Sequence, residues 1–367
     1  MFTPDFLWFC QLARDGEFVG TRTPPPRKPT LEYLASMIET AHEAGFSSLL
    51  TATNYHHELE TWTAGVAALA RTRGAGLLLA VRPGMVHPSM YAKMVATAAN
   101  FFPGRVRINV VTGSSPAENA MYGDFEAHGK RYERTREFML LLRQLWRETP
   151  VSYDGDVYKV DGAVLEPKPS ENVPLYFGGA SASAQRIAAE FADVYLMWGG
   201  PRATLEQNLE QMKRLEAEYG RKLRYGLRVH VVVRETESEA WAAAERIISR
   251  IDPEVRQTFL KSYKHVDSVG QNRQIELGLK DDLLVEPHLW AGIGLARSGV
   301  GVAIVGDPQQ VADELKSYQE MGIGTFILSG YPHVEEARRF GELVMPHFHG
   351  VGIEARELHT DTVAPAF

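Results

Sequence analysis

Two polar side chains interrupt an otherwise apolar stretch of the chain, LRVHVVV (227–233). Arg228 and His230 are two residues apart, so on a β-strand they share one face. Among apolar neighbours an arginine is costly unless it meets an anion, and a histidine beside it can transfer protons near neutral pH. For an isolated pair, a structural arginine–carboxylate bridge with a hydrogen-bonded core histidine is the better interpretation. Close to an anion site, binding of an anionic substrate with acid–base chemistry becomes the better one.

An anion site is a candidate interpretation of the segment GGASASAQRIA (178–188), a glycine-rich turn that opens a helical pattern. Gly178 and Gly179 allow the backbone to approach a ligand closely. The amides at the helix start, together with the Ser181 hydroxyl, favour a negative charge. A tight turn with a serine cap explains the same residues, and the segment alone does not separate the two.

Other chemically active residues are weaker candidates on their own. His56 and His57 are adjacent and would point to opposite faces of a strand, so a polar loop is favoured over a metal site. Cys10 lies in an apolar run, which is typical of a buried, inert thiol. Arg297 is typical of a solvated arginine, although it could contribute a cation from a flexible segment. Trp198 is typical of a core residue, although it could flank a flat aromatic cofactor.

These residues end or follow eight short apolar runs with the length of strands, at 6–11, 47–52, 76–81, 106–111, 174–179, 193–198, 227–233 and 325–330. Runs that are apolar at nearly every position indicate parallel strands buried on both faces. Helical patterns such as 31–45, 131–148, 204–220 and 307–322 alternate with them. The sequence therefore predicts an α/β fold, a (β/α)8 barrel with its active site at the carboxyl ends of the strands. An open doubly wound sheet is less favoured, because no GxGxxG turn follows the first run.

Two segments do not fit the alternation and are predicted to be insertions. Residues 153–169 contain Asp-Gly turns between short β-like runs, which indicates a hairpin before the fifth barrel strand. Residues 251–300 follow the seventh strand and are too long for an ordinary loop, so we expect a lid over the active site. The whole chain, 1–367, is expected to form one domain.

Composition excludes several classes of function. The chain has 367 residues and a formal net charge of −7, which disfavours a nucleic-acid binder. Its single cysteine excludes an internal disulfide and a multi-cysteine metal site. No apolar run is long enough for a membrane span, and the first residues lack the basic region of a secretory signal. We therefore expect a cytoplasmic protein without a bound metal.

Long motifs extend from about Phe6 to about Phe348. They are the WF followed by DGEFVG near the N-terminus, HGKRYERTREF (128–138), FGGASASAQRIAAEFADVYLMWG (177–199), RYGLRVHVVVRETESEAWAAAERIIS (224–249), VDSVGQNR (266–273), LWAGIGLARSGVGVAIVGDP (289–308) and FILSGYPHVEEA (326–337). Together they closely resemble the FMNH2-dependent alkanesulfonate monooxygenases, which belong to the bacterial-luciferase-like flavin monooxygenases. The resemblance implies a (β/α)8 barrel with insertions.

The resemblance also implies an activity and its partners. Reduced FMN would come from a separate NAD(P)H-dependent FMN reductase, and O2 would be used to cleave the C–S bond of an alkanesulfonate into an aldehyde and sulfite. The chain would form a homo-oligomer, either a dimer or a tetramer. Residues matching catalytic positions of the family are Arg228, His230, Arg297 and Tyr331. Residues matching the FMN phosphate turn or segments along the flavin are Asn109, Thr112, Tyr132, Gly179, Ala180 and Ser181, with Trp198 as a further flavin-flanking candidate.

One segment departs from the family pattern. Members typically carry a cysteine after the second strand, in a pattern like SCEDSW, whereas this chain has NYHHELETW (54–62) with histidines in that place. The departure leaves the fold and cofactor class intact but leaves the substrate open. Two alternatives therefore stand beside sulfonate cleavage. One is a luciferase-like oxidoreductase acting on another organosulfur or amine compound, and the other is a flavin-binding protein without turnover.

Overall fold

The computed structural model describes residues 3–262, 266–280 and 282–348. The predicted domain (1–367) and insertion (251–300) therefore include residues outside the described ranges, namely 1–2, 263–265, 281 and 349–367. Within those ranges the strands are β1 (Asp5–Cys10), β2 (Ser48–Thr51), β3 (Gly76–Val81), β4 (Val106–Val110), β5 (Val151–Asp154), β6 (Lys159–Ala163), β7 (Leu175–Gly178), β8 (Val194–Trp198), β9 (Arg224–Val233), β10 (Leu284–Glu286), β11 (Leu289–Trp290), β12 (Ala303–Gly306) and β13 (Ile323–Ser329).

The α-helices of the same ranges are α1 (Leu31–Glu43), α2 (Thr61–Arg71), α3 (Pro88–Phe101), α4 (Pro116–Met121), α5 (His128–Arg147), α6 (Ala182–Phe191), α7 (Arg202–Tyr219), α8 (Glu237–Ile248), α9 (Pro253–Ser262), α10 (Val269–Gly278), α11 (Pro308–Glu320) and α12 (His333–Leu343). Two 3₁₀ turns cover Gly292–Leu295 and Met345–Phe348. None of these helices is both long and apolar enough to cross a membrane.

Eight parallel strands close into a barrel in the order β1, β2, β3, β4, β7, β8, β9 and β13, with β13 pairing back to β1. They coincide with the eight apolar runs, so the predicted (β/α)8 barrel is confirmed. The predicted hairpin before the fifth barrel strand is also confirmed, as β5 paired with β6. The predicted helices agree with α1, α5, α7 and α11, and Asp307 caps α11 with Pro308 in its first turn.

The apolar runs are continuous because both faces of each strand are buried. In β1, the side chains of Leu7 and Phe9 point into the barrel, while Phe6 and Trp8 pack against the surrounding helices. The barrel interior is a small apolar cluster, formed by Leu7, Phe9, Leu50, Leu78, Tyr176, Val194, Leu196 and Ile327. This filled interior leaves the carboxyl end of the barrel as the place where a ligand can enter.

The seventh barrel strand, β9, is unusually long because it has two successive partners. Its first half pairs with β8, where Arg228 lies opposite Trp198. Its second half pairs with β12, where His230 lies opposite Ala303. The run GVAIVG (301–306), which contains β12, was not predicted to be a strand because it is short and follows the long insertion. On this side of β9, the pairing partner changes from β8 to β12 between Arg228 and His230.

The β5–β6 hairpin is held by one buried carboxylate on α5, the helix that also carries Tyr132. The Glu137 oxygens accept hydrogen bonds from the backbone N–H groups of Asp156 (2.9 Å), Val157 (3.1 Å) and Tyr158 (2.9 Å). Charge-assisted bonds of this kind are stronger than neutral ones. We conclude that Glu137 fixes the hairpin that leads into β7.

Replacing Glu137 with alanine should destabilise the chain by about 3 kcal/mol, because several hydrogen bonds to a charged group are lost and the buried Tyr158 N–H is left without its acceptor. Urea unfolding followed by circular dichroism measures the difference in the free energy of unfolding. Glu133→Ala is the matched control on the same helix, because Glu133 is exposed and pairs only with Lys130. The control should change stability by no more than about 0.5 kcal/mol. Equal effects of the two substitutions would contradict the assigned role.

Candidate active site

A cavity of about 620 Å³ lies at the carboxyl end of the barrel. All eight barrel strands contribute to its wall, through the residues that end or follow them, and the insertion contributes α10 and residues 297–300. The volume lies in the range of small-molecule sites. The cavity thus occupies the place where the barrel fold predicts an active site.

Arg228 forms part of the cavity wall and has no carboxylate partner among the described residues. It is 5% exposed, and its Nη1 donates to the backbone carbonyl oxygens of Val229 (3.0 Å) and Ile327 (3.4 Å). Nη2 donates to the Ser329 hydroxyl (2.8 Å). Burial, followed by the nearby Arg297 charge, lowers the pKa of Arg228 to about 9, so the guanidinium stays protonated at neutral pH. The structural arginine–carboxylate bridge considered for this residue is not present in this part of the chain.

Arg297 is a second cation beside the first. Its guanidinium carbon lies 5.4 Å from the centroid of the Phe9 ring, and that of Arg228 lies 4.9 Å from the same centroid. Arg297 is half-buried, donates to the backbone oxygen of Ser298 (3.0 Å), and also has no carboxylate partner in the described ranges. Two like charges that share one aromatic ring repel each other, and an anion bound between them would relieve that repulsion.

The hydrogen-bond inventory of Arg228 shows that it can still bind an anion. A guanidinium has five N–H groups. Three of them are used for the bonds described above. The remaining two are available for a ligand oxygen, and an arginine that donates two bonds to an oxyanion is a strong recognition element.

His230 lies behind Arg228 and is not part of the cavity wall. Its side chain is fully buried, with Nε2 bonded to the backbone oxygen of Val300 (3.1 Å) and Nδ1 bonded to the Ser329 hydroxyl (2.6 Å). The ring stacks on Tyr331 at a centroid distance of 5.6 Å. Burial and the charge of Arg228 hold the pKa of His230 well below its usual value. In this arrangement His230 is a neutral, fully hydrogen-bonded core histidine.

Tyr331 is also buried and placed behind the two arginines. Burial raises the pKa of its hydroxyl, while the charges of Arg297 and Arg228 act in the opposite direction. The ring lies between those of His230 and His333, at 5.6 Å and 5.1 Å. Tyr331 therefore belongs with the residues that hold Arg297 in place, as a neutral phenol.

The glycine-rich turn after β7 forms another part of the wall, through Gly178, Gly179 and Ala180. Gly179 has φ +154°, and a Cβ on it would lie 2.5 Å from that of Ala184. Ser181 is not on the wall. Its hydroxyl caps α6 by accepting a hydrogen bond from the Ala184 backbone N–H (3.2 Å). The serine cap is thus present, while the backbone of the turn faces the cavity.

An unpaired cation also lies at this turn. Arg273 on α10 lines the cavity and has no carboxylate partner among the described residues. Its charge acts on the Tyr195 hydroxyl, which donates to the backbone oxygen of Gly179 (2.7 Å). A guanidinium next to a glycine turn at a helix start is a donor set that suits a phosphate group. The residues present therefore fit the phosphate end of a flavin nucleotide.

The remaining flavin candidates also line the cavity. Asn109 is the second-last residue of β4, and Thr112 follows the strand with its hydroxyl 3.2 Å from that of Thr135. The Tyr132 ring packs edge-on against His128 at 5.0 Å. Trp198 ends β8 and is 37% exposed at the mouth. Of the predicted site residues, the cavity wall includes Arg228, Arg297, Asn109, Thr112, Tyr132, Gly179, Ala180 and Trp198, whereas His230, Tyr331 and Ser181 lie outside it.

Three residues of the wall that bear directly on its chemistry were not assigned to the site from the sequence. Phe9, the ring between the two arginines, was hidden in a uniformly apolar strand. Arg273 ends the motif VDSVGQNR (266–273), which indicated the family but no individual site residue. His57 was assigned to a polar loop, yet it lines the cavity, and burial and the Arg297 charge lower its pKa to about 4. The departure from the family pattern at 54–62 was the available signal for His57.

Two glutamine side chains of α10 join this helix to the barrel and to the segment that carries Arg297. Gln274 donates to the Gly199 backbone oxygen and accepts from the Gly301 backbone N–H, both at 2.7 Å. Gln271 accepts from the Gly299 backbone N–H (2.8 Å). The segment that carries Arg297 is thereby bound to α10 on one side, and the hydrogen bond between His230 and the Val300 backbone oxygen joins it to β9 on the other.

Comparisons with known proteins agree with this geometry. The sequence model described as luciferase-like monooxygenase matches residues 5–325. EDTA monooxygenase from Chelativorans sp. BNC1 superposes with a TM-score of 0.77 at 18% identity, covering 96% of this chain and 95% of that one. Riboflavin lyase, solved with modified FMN and riboflavin, gives 0.78 at 20% identity, with 94% and 91% covered. An F420-dependent secondary alcohol dehydrogenase gives 0.69 at 20% identity, with 95% and 99% covered.

The match over residues 5–325 spans most of the chain. The chain belongs to the luciferase-like monooxygenase family. The solved structures share its fold at low sequence identity, and what they bind or convert is a property of those proteins.

Acid should destabilise the chain through buried histidines at this end of the barrel. His333 is fully buried, neither ring nitrogen has a hydrogen-bond partner among the described residues, and burial lowers its pKa to about 4. The unfolded histidine titrates near 6.5, so between these values the unfolded chain binds more protons than the folded one. Stability should therefore fall as the pH drops from about 6.5 to 4, by on the order of 1.4 kcal/mol per unit for each such group.

His333→Phe removes one of these titrating groups. The free energy of unfolding of this variant should therefore fall less steeply between pH 6.5 and 4, by the contribution of one bound proton. Urea unfolding at a series of pH values between 7 and 4 measures it. His42→Gln is the control, because His42 is an exposed histidine on α1. The assignment fails if the two variants show the same slope.

Proposed function

We propose that this chain is a two-component flavin-dependent monooxygenase that uses reduced FMN and O2 to cleave the C–S bond of an alkanesulfonate. The balanced reaction is RCH2SO3⁻ + FMNH2 + O2 → RCHO + HSO3⁻ + FMN + H2O. The observation that carries the proposal is the pair Arg228 and Arg297, two cations without carboxylate partners in the described ranges, on the wall of one cavity. A sulfonate is a permanent anion with three oxygens, which suits paired guanidinium groups.

Each wall residue then has a distinct task. The two free N–H groups of Arg228 hold an oxyanion, and Arg297 adds a second charge from the insertion. The turn at 178–180 and Arg273 would hold the FMN phosphate, while Tyr132 and Trp198 would flank the flavin rings. The reduced flavin supplies the electrons that activate O2. We further propose that an NAD(P)H-dependent FMN reductase delivers it and that the chain works as a homo-oligomer.

His57 keeps a second candidate function open. It lines the cavity next to Arg297, where the sulfonate monooxygenases that this chain resembles carry a cysteine. A different group at that position can select another organosulfur or amine substrate. The distinguishing experiment is sulfite release from a panel of alkanesulfonates with reduced FMN from any flavin reductase. Aldehyde without sulfite, or flavin oxidation without either product, would reject C–S cleavage.

Arg228 can be tested with an apolar side chain of similar length. Arg228→Met should lower kcat by on the order of 10²-fold or more, since a preorganised electrostatic donor is lost. It should leave the free energy of unfolding unchanged or raise it, because a buried charge without a counter-ion is replaced by an apolar group. Sulfite-release kinetics and urea unfolding give the two values.

The matched control is Arg107→Met, at a partly buried arginine that does have a counter-ion. Arg107 on β4 pairs with Asp5 at 2.8 Å. Its replacement removes the guanidinium partner of a carboxylate that is 12% exposed and should lower the free energy of unfolding by about 3 kcal/mol. If Arg228→Met destabilises the chain as much as Arg107→Met and the folded enzyme turns over normally, Arg228 has a structural role only.

The insertion 251–300 is proposed to act as a lid that excludes water from the reaction. Gln274→Leu removes the bonds to Gly199 and Gly301 and places an apolar side chain of similar size at this buried position. We expect limited proteolysis to cut residues 251–300 faster in this variant, and FMN with ethanesulfonate to slow cleavage in the wild type. Cleavage that is equally fast with and without these ligands would rule out a closing lid.

A further inference from the structure

Three buried side chains form an unbroken hydrogen-bonded chain between β9 and β13. In the parallel register Arg228 lies opposite Ile327, and His230 lies opposite Ser329. The Arg228 Nη2 is 2.8 Å from the Ser329 hydroxyl, which is 2.6 Å from His230 Nδ1. His230 Nε2 is 3.1 Å from the backbone oxygen of Val300. Ser329 and His230 are both completely buried, so no water competes for these bonds.

The chemistry of the end groups fixes the direction of every bond in this chain. A guanidinium can only donate and a backbone carbonyl can only accept. His230 Nε2 must therefore carry the ring proton, and Nδ1 of the neutral ring must accept. The Ser329 hydroxyl consequently donates to His230 and accepts from Arg228. One hydroxyl thus determines both the position of a guanidinium and the tautomer of a histidine.

The far end of the chain is the segment that carries Arg297. Val300 is three residues from Arg297, and its neighbours Gly299 and Gly301 are bonded to Gln271 and Gln274 of α10. The imidazole of His230 attaches the same segment to the barrel from the other side. A change at Ser329 can therefore reach Arg297 without touching the cavity.

We propose that Ser329 is a positioning residue that, through the His230 ring, couples the placement of Arg228 to that of the segment carrying Arg297. The two cations of the anion site then form one unit, although they come from a barrel strand and from the insertion. This goes beyond the proposed function, and it rests on that function only for the anion that the two arginines would bind.

The first test is the tautomer of His230, measured by ¹⁵N NMR on chain labelled in the histidine rings, without flavin. His230→Gln identifies the signal. The wild type should show a neutral ring protonated at Nε2. In Ser329→Ala the Nδ1 signal should shift, because it loses its donor. A wild-type ring protonated at Nδ1, or an unchanged signal in Ser329→Ala, would overturn the proposal.

The second test follows the segment itself by amide hydrogen exchange. In Ser329→Ala, Gly299 and Gly301 should exchange about tenfold faster, as expected when one hydrogen bond that holds a segment is lost. Amides of the hairpin bonded to Glu137 should be unaffected. A changed tautomer with unchanged exchange at Gly299 and Gly301 would show that the coupling ends at His230, against the proposal.

Ser48→Ala is the matched control for both tests. Ser48 is also a completely buried serine at a barrel-strand position, but its hydroxyl has no hydrogen-bond partner in the described chain. It should alter neither the His230 signal nor exchange at 299 and 301. Ser329→Thr retains the hydroxyl and should restore the wild-type tautomer, and it provides a folded variant if Ser329→Ala does not fold.

Titration with ethanesulfonate separates this inference from the proposed function. The wild type should bind it, and Ser329→Ala should bind it about tenfold more weakly. If the wild type does not bind ethanesulfonate, the sulfonate assignment fails, while the tautomer and exchange results still decide the role of Ser329. Unchanged affinity in Ser329→Ala, with binding in the wild type, would overturn the coupling of the two arginines.

Discussion

The arrangement of this end of the barrel depends on two buried or half-buried cations. Arg228 and Arg297 both lie against the ring of Phe9, and neither has a carboxylate partner among the described residues. Removing a charge from water costs several kcal/mol, and the barrel offsets part of this with two backbone carbonyls, the Ser329 hydroxyl and the face of Phe9. Burial and the neighbouring Arg297 charge lower the pKa of Arg228, which is the direction expected for a cation without a counter-ion. An anionic ligand would supply the missing counter-ion, so its binding to this pocket should be favourable.

The length of β9 makes this arrangement possible. On the side of β9 that faces β8 the pairing ends at Arg228, whereas on the other side β13 pairs with β9 as far as His230. Pairing of the second half with β12 buries His230 and brings the end of the insertion beside the barrel. The insertion is therefore built into the sheet through β12 and does not merely cover the cavity. The position of Arg297 follows from that connection, together with Gln271 and Gln274.

The sequence was sufficient for the barrel, because its signal is local. Each strand is apolar on both faces, with Phe9 inside and Trp8 against the helices, and this pattern is visible within six residues. The shared face of Arg228 and His230 also followed from alternation. The alternation of side chains along a strand does not show, however, that Arg228 reaches the cavity while both ring nitrogens of His230 are hydrogen-bonded inside the protein. The groups that bond them, Ser329 and Val300, are distant in sequence.

Ser181 and Arg273 illustrate the same limit at the glycine turn. The two interpretations of Ser181 differed only in where its hydroxyl points, and that depends on how α6 leaves β7. Arg273 is one of many polar residues on an amphipathic helix, and only the docking of α10 brings it beside Gly179. Arg297, which also comes from the insertion, was assigned to the site by the family resemblance alone, whereas residues at strand ends also followed from the barrel itself.

The distribution of charge gives the cavity its selectivity. The chain as a whole is acidic, with a formal charge of −7, yet Arg228, Arg297 and Arg273 in the cavity wall have no carboxylate partners among the described residues. Three carboxylates also line the cavity, those of Glu118, Asp267 and Glu276. Arg82 pairs with Glu118 at 2.8 Å and Arg131 pairs with Asp267 at 3.1 Å, so the arginines and Lys280 of the wall still outnumber the acidic groups. A positive cleft in a negative surface concentrates field lines and attracts anions to that point. Anions repelled by the outer surface are thus favoured at the glycine turn and at the paired arginines, with Tyr195 and Trp198 supplying aromatic surface along the same wall. This pattern suits a flavin phosphate and an anionic substrate bound together in one cavity.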